Sequence, residues 1–194
     1  MDQERVLQHF RDAGALLEGH FVLSSGRHSS RYLQCARVMM DANRGGLLCA
    51  ALAERVRSEI NEPFDVVISP AMGGVVVGYE MGRQLGVPSM FVERVEGEFA
   101  LRRGFSFEAG TRILVVEDIV TTGLSSRECI GTLQGMAGNV VAEACLIDRS
   151  AGTVDIGVPL VALAHLDVPS YEADAIPPEL AAIPAEKPGS RGLA

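Results

Sequence analysis

Four short apolar runs constrain the fold: DVVIS at 65–69, SMFVE at 89–93, RILVVE at 112–117 and VVAEACLI at 140–147. The first is continuous rather than alternating, as a strand buried on both faces must be. Helical spacing occupies 75–85 and 126–137, and a further apolar run covers 158–166. Short buried strands alternating with helices predict an α/β fold with a mainly parallel sheet flanked by helices. Ligands of such sheets bind beyond the C-terminal ends of the strands. The loops at 69–75, 94–104 and 118–125, together with Asp148 and Arg149, therefore share one rim. Residues 94–111 read as a polar loop with charges of both signs.

Ahead of these strands, Val6, Phe10, Ala13 and Leu17 predict an amphipathic helix over 2–17. Residues 21–37 alternate weakly around a Ser-Ser-Gly turn at 24–26, as a hairpin or arm does. Leu48, Leu52, Val56 and Ile60 predict a second helix over 45–60, stopped by Asn61 and Pro63. The 194 residues suffice for one domain with a real core. The expected division is a helix and arm over 1–40, an α/β core over 41–150 and a C-terminal segment over 151–176. Pro177, Pro178, Pro184 and Pro188 predict a flexible tail over 177–194.

The chemistry concentrates in ILVVEDIVTTGLS, residues 113–125. An apolar strand runs into two adjacent acids, Glu117 and Asp118. Ile119 and Val120 follow, then Thr121, Thr122, Gly123, Leu124 and Ser125 at a helix start. Paired carboxylates at a strand end can accept hydrogen bonds from a vicinal diol. The loop beyond them offers backbone N–H groups and hydroxyls, and a helix N-terminus adds positive potential. Gly123 leaves room for an anion to approach. A diol site beside a phosphate site describes a ribose 5-phosphate. A plain strand ending in a capped helix also places acids and threonines at such a junction, but does not require this combination.

The cations narrow the options. Lys187 is the only lysine, and the other sixteen cationic side chains are arginines. A Walker-type phosphate loop or Schiff-base chemistry is thereby excluded from the core. The net charge of −8 opposes a nucleic-acid-binding face. The cysteines, Cys35, Cys49, Cys129 and Cys145, form no CxxC pair and read as buried free thiols. His9, His20, His28 and His165 have no metal-binding spacing. The N-terminal MDQERVLQHF lacks a signal-peptide core, and no apolar stretch is long enough to span a membrane. A cytoplasmic protein is expected.

Residues 113–125 resemble the signature of the type I phosphoribosyltransferases, enzymes that use phosphoribosyl pyrophosphate (PRPP). Three further segments resemble the orotate phosphoribosyltransferases: GHFVLSSGRHSSRYLQCA at 19–36, SPAMGGVVVG at 69–78 and LIDR at 146–149. The resemblance covers roughly 4–172 and implies the type I fold, with a small hood made by the N-terminal arm and the C-terminal segment. It implies transfer of phosphoribosyl from PRPP to orotate, with Mg²⁺ carried mainly by PRPP. Residues 117–125 with Gly73, Gly74 and Arg94 would bind PRPP, and Thr121, Arg149 and Tyr32 would bind orotate. Glu117 and Asp118 would attend the reacting sugar, and Arg102 and Arg103 would close over the diphosphate. Arginines in the loop at 93–105 stand where relatives carry lysines, and Ser24 and Gly73 also replace lysines. A homodimer sharing this loop between subunits is implied as well.

Without the resemblance, several positions stay open. Gly73 and Gly74 also suit a tight turn. Arg149 could pair with Asp148 or Asp155, and Arg102 and Arg103 could be solvated. A purine-type transferase, or a PRPP-binding regulator without catalysis, would share the 113–125 motif.

Overall fold

The computed structural model describes residues 1–23 and 26–187. Helix α1 (Gln3–Asp12) opens the chain, capped by Asp2, whose side chain accepts the Arg5 N–H. It is shorter than the spacing predicts. Gly14 takes a left-handed turn at φ 59, and Leu17 belongs to strand β1 (Leu16–Val22). Strand β2 (His28–Leu33) pairs antiparallel with β1, so the arm is a hairpin. The Ser-Ser-Gly turn expected at 24–26 falls on Ser24 and Ser25, which lie outside the described residues.

Helices α2 (Ala36–Met39) and α3 (Ala42–Glu59) lead into the main sheet. Its elements are β3 (Val66–Pro70), α4 (Gly73–Leu85), β4 (Ser89–Val95), β5 (Glu98–Leu101), β6 (Arg112–Val120), α5 (Leu124–Gly135), β7 (Asn139–Asp148) and β8 (Leu160–His165). The strand order is β5-β4-β3-β6-β7-β8. All neighbours are parallel except β5, which runs antiparallel to β4. The expected α/β class with a mainly parallel sheet is therefore met.

Both faces of the sheet are buried. Leu114 and Val116 of β6 join a core with Phe10, Leu48, Leu52, Val77 and Met81 from α1, α3 and α4. Ile113 and Val115 join the opposite core with Cys129, Ile130 and Leu133 from α5. This two-sided burial explains why the strand is continuously apolar. Helix α4 lies close to the sheet because its inner face is glycine. A Cβ on Gly78 would fall 1.7 Å from Ser69 Oγ, and one on Gly74 would fall 2.8 Å from the Val116 carbonyl oxygen.

Three further expectations need correction. Residues 94–101 are not a loop: β4 runs to Val95, Glu96 and Gly97 turn with φ 53 and 96, and β5 returns. Two consecutive positive φ angles make the tight turn that suits a twisted hairpin, and buried Phe99 anchors it. The run at 158–166 supplies β8 to the core sheet rather than to the hood. Finally, residues 178–186 are ordered. Helix α6 (Pro178–Ala181) buries Leu180, and β10 (Ala185–Glu186) pairs parallel with β1. Prolines at 177 and 178 start this helix rather than preventing one. With β9 (Ser170–Tyr171) on β2, they form a second sheet in the order β10-β1-β2-β9. Pro188 and the residues after it lie outside the described residues.

Candidate active site

The parallel strands β3, β4, β6 and β7 end on the same side of the sheet, which brings the predicted rim together. Strand β6 continues through the two acids to Val120. Asp118 N–H donates to Glu117 Oε2 at 3.0 Å, and Ile119 N–H donates to Asp118 Oδ1 at 2.9 Å. Burial raises the Glu117 carboxyl to about 9, and the neighbouring Asp118 charge adds to the effect. Burial raises Asp118 as well, against hydrogen bonds that favour its charged form. Two adjacent acids held this way resist full ionisation until a partner arrives.

The start of α4 closes against these acids. A Cβ on Gly73 would stand 2.9 Å from Asp118 Oδ1, and one on Gly74 would stand 3.1 Å from Glu117 Oε2. Gly73 and Gly74 are the first turn of this helix rather than a separate turn. The Ala71–Met72 peptide before them is cis.

Beyond the acids, Thr121, Thr122 and Gly123 turn the chain into α5. Residues 119–126 and Arg94 line a cavity of about 230 Å³. The N-cap of α5 is Gly123, which makes no side-chain cap, and apart from a long 3.5 Å bond from Leu124 N–H to Thr122 Oγ1 the first-turn amides remain available to an anion. Gly123 adopts φ 70, and a Cβ there would meet Val154 Cγ2 at 2.4 Å. The glycine is thus required by packing against the 150–157 segment as much as by any approaching anion. Arg127 fastens the same two segments: it donates to the Thr122 carbonyl at 3.0 Å and to the Asp155 carbonyl at 2.9 Å.

Arg94 reaches the cavity from the hairpin. It pairs with Glu128, donates to the Gly97 carbonyl at 2.6 Å and lies 4.2 Å over the Phe99 ring. Arg103 is held differently, in a two-pronged pair with Glu93 at 2.7 and 3.0 Å. This pairing lowers the Glu93 carboxyl from its usual value. The side chain of Arg102 is exposed and has no ion pair among the described residues. Neither residue lines the 119–126 cavity.

Arg149 follows β7, and its N–H donates to the Val120 carbonyl at 2.8 Å. Its side chain is partly buried, and Nε has no hydrogen-bond partner among the described residues. Burial lowers its pKa from the ordinary value, although nearby Cys35 opposes this. Cys35 Sγ in turn lies 3.9 Å from the Asp118 carbonyl oxygen. The two alternative partners are occupied elsewhere. Asp148 accepts from Ser150 N–H at 2.7 Å and contacts the His165 ring at 3.1 Å, and Asp155 Oδ1 accepts from Gly157. Tyr32 bonds Gln34 and packs on Phe21 at 5.9 Å between ring centroids. No hydrogen bond or ring contact among the described residues joins it to Thr121 or Arg149.

The structure adds residues that the sequence reading passed over. Cys35 links the arm to the acids, Arg127 braces the 121–123 turn, and Ser126 lines the cavity with buried Glu143 behind it. Only Glu143 had a sequence signal, a charge inside the apolar run 140–147. Among the described residues no three His, Cys, Asp or Glu side chains group to hold a metal ion.

Residues 40–165 match the phosphoribosyl transferase domain family. An orotate phosphoribosyltransferase of Parvibaculum lavamentivorans is 57% identical over 194 residues, covering all of both chains. One from Maricaulis maris is 58% identical with the same coverage. The crystal structure of orotate phosphoribosyltransferase from Aeropyrum pernix superposes with a TM-score of 0.68 at 28% identity. That match covers 83% of this chain and 93% of the other.

Proposed function

This chain belongs to the phosphoribosyl transferase family and, within it, to the orotate phosphoribosyltransferases, and on that premise we propose how its residues divide the work. The reaction joins orotate to the 5-phosphoribosyl group of PRPP, giving orotidine 5′-phosphate and diphosphate in pyrimidine biosynthesis. The 5-phosphate sits in the 119–126 cavity, against open amides of α5 and the hydroxyls of Thr121, Thr122 and Ser125. Arg94 supplies a fixed cation at its edge. Glu117 and Asp118 accept from the ribose 2- and 3-hydroxyls and lie near the carbon that becomes cationic as the diphosphate departs. Preorganised charge of this kind stabilises the transition state.

The magnesium ion would be carried mainly by the donor's own oxygens and water, with few direct protein ligands, near the two carboxylates at the strand end. When bound, Mg²⁺ would neutralise charge on the departing diphosphate. Gly73 and Gly74 let that group approach the backbone of α4. Arg102 and Arg103 close over it when the 94–104 segment folds down, with Arg103 exchanging Glu93 for phosphate oxygens. Orotate attacks as its ring anion, so orientation matters more than a base.

The observation that carries the orotate reading is Arg149: a partly buried guanidinium just past β7 and near Cys35, its Nε without a hydrogen-bond partner among the described residues. A planar carboxylate suits that fork. Thr121 and Tyr32 complete the orotate pocket, Tyr32 by moving off Phe21. Assaying orotate, adenine, guanine and uracil with PRPP and Mg²⁺ tests the assignment, and turnover confined to a purine would overturn it.

A homodimer that shares the 94–104 segment between subunits is supported by exposed Met40, Leu47, Met72, Val76 and Tyr79 around α2, α3 and α4. No helix among the described residues is long and apolar enough to cross a membrane, which accords with work in the cytoplasm.

A further inference from the structure

Beneath the phosphate cavity lies an acid that the mechanism above does not use. Glu143 is fully buried in the middle of β7, with Val115 of β6 and Leu160 of β8 as its register partners. Its Oε1 accepts from Ser126 Oγ at 2.7 Å. Its Oε2 is buried without a hydrogen-bond partner among the described residues. Ser126 is the third residue of α5 and lines the cavity together with 119–125. The carboxyl therefore holds the turn of helix on which the phosphate amides are mounted.

Its surroundings favour the neutral acid. The ionisable groups near it are Cys129 from α5, Glu117 from β6 and Cys145 from β7 itself, and β8 contributes apolar Leu160. None of these is a cation. An ionised carboxylate here would carry an unpaired charge inside the sheet, which costs far more than a neutral acid. Burial raises Glu143 to about 7, against the Ser126 hydrogen bond.

We propose that Glu143 is a positioning residue for PRPP: as the neutral acid it fastens Ser126 and the first turn of α5, so the 121–125 amides meet the 5-phosphate with no negative charge behind them. Above neutrality the acid ionises and opposes the phosphate, so donor affinity falls. This inference rests on the phosphate-cavity reading given above.

The test is steady-state kinetics of the full chain from pH 6 to 8.5, comparing wild type with Glu143→Gln. Glutamine keeps an acceptor for Ser126 and cannot ionise. The wild-type KM for PRPP should rise with pH by several-fold up to about tenfold more than that of E143Q. The KM for orotate should follow the same course in both proteins. Superimposable PRPP profiles would overturn the proposal. Ser126→Ala provides a second test, because a smaller side chain at the same place preserves packing. It should raise the PRPP KM several-fold at pH 6 while sparing the orotate KM, and an unchanged PRPP KM would count against the proposal. Absence of orotidine 5′-phosphate at every pH would instead defeat the underlying assignment. Product formed with overlapping profiles would defeat only the role of Glu143.

Discussion

Gly73 lies against the Asp118 carboxylate so closely that a methyl group on the glycine would stand 2.9 Å from Oδ1 and 3.0 Å from Oδ2. Asp118, the acid proposed to bind the ribose diol, and the start of α4 are thus in contact, and the position of one sets the other. Gly73→Ala should push the carboxylate off its station and lower kcat on the order of tenfold to a hundredfold. Gly73 itself is exposed, so the melting temperature should barely move. A variant with full kcat would show that the carboxylate position is immaterial.

Asp118→Asn separates chemistry from folding. The folded-state pKa values of Glu117 and Asp118 are raised, so their contribution to stability is greatest below the unfolded carboxyl pKa. It is lost as pH rises, through about 9 for Glu117. D118N removes one of the two charges. It should flatten the fall in melting temperature between pH 5 and 9 while reducing turnover at least a hundredfold. Equal losses of stability and turnover would make the acids structural.

Arg149→Ala tests the acceptor pocket. Charge-assisted hydrogen bonds to a carboxylate contribute about 1.5–3 kcal/mol, so the KM for orotate should rise roughly tenfold to a hundredfold. PRPP binding, measured by titration calorimetry, should stay as it is. If both substrates weaken together, Arg149 supports the site as a whole rather than orotate.

Gly78→Ala addresses the seating of α4. Its Cβ would overlap Ser69 Oγ at 1.7 Å, and overpacking of this kind costs about 1–3 kcal/mol. Chemical denaturation should register that loss, and Ser69→Gly in the same chain should recover part of it. No recovery would mean the helix is displaced by something other than Ser69.

The sheet was legible because each core strand carries its own signal: 66–70 and 113–116 are buried on both faces, so their residue choice needs no knowledge of neighbours. The proposed phosphate loop was legible for a similar reason, since its acids, hydroxyls and glycine are contiguous. What stayed hidden depends on distant partners. The helix expected to reach Leu17 ends at Asp12 because Leu16 onward pairs with β2. The hairpin at 94–101 rests on Phe99 reaching the core and Arg94 meeting Glu128. Ser126 and Glu143 are seventeen residues apart and acquire meaning only when α5 lies on β7. Arg127 had no local signal, because its acceptors are main-chain carbonyls at 122 and 155.

The pairing of Ala185 and Glu186 with β1 bears on how the chain should be handled. His20 is tied through its ring to the Ile183 carbonyl at 2.9 Å, and Leu180 is buried nearby. Trimming the gene before codon 180 would strip a strand from the hood and leave a bare ladder of amides along β1, the kind of border on which chains stack into aggregates. Affinity handles therefore belong beyond α6 and β10 rather than in their place.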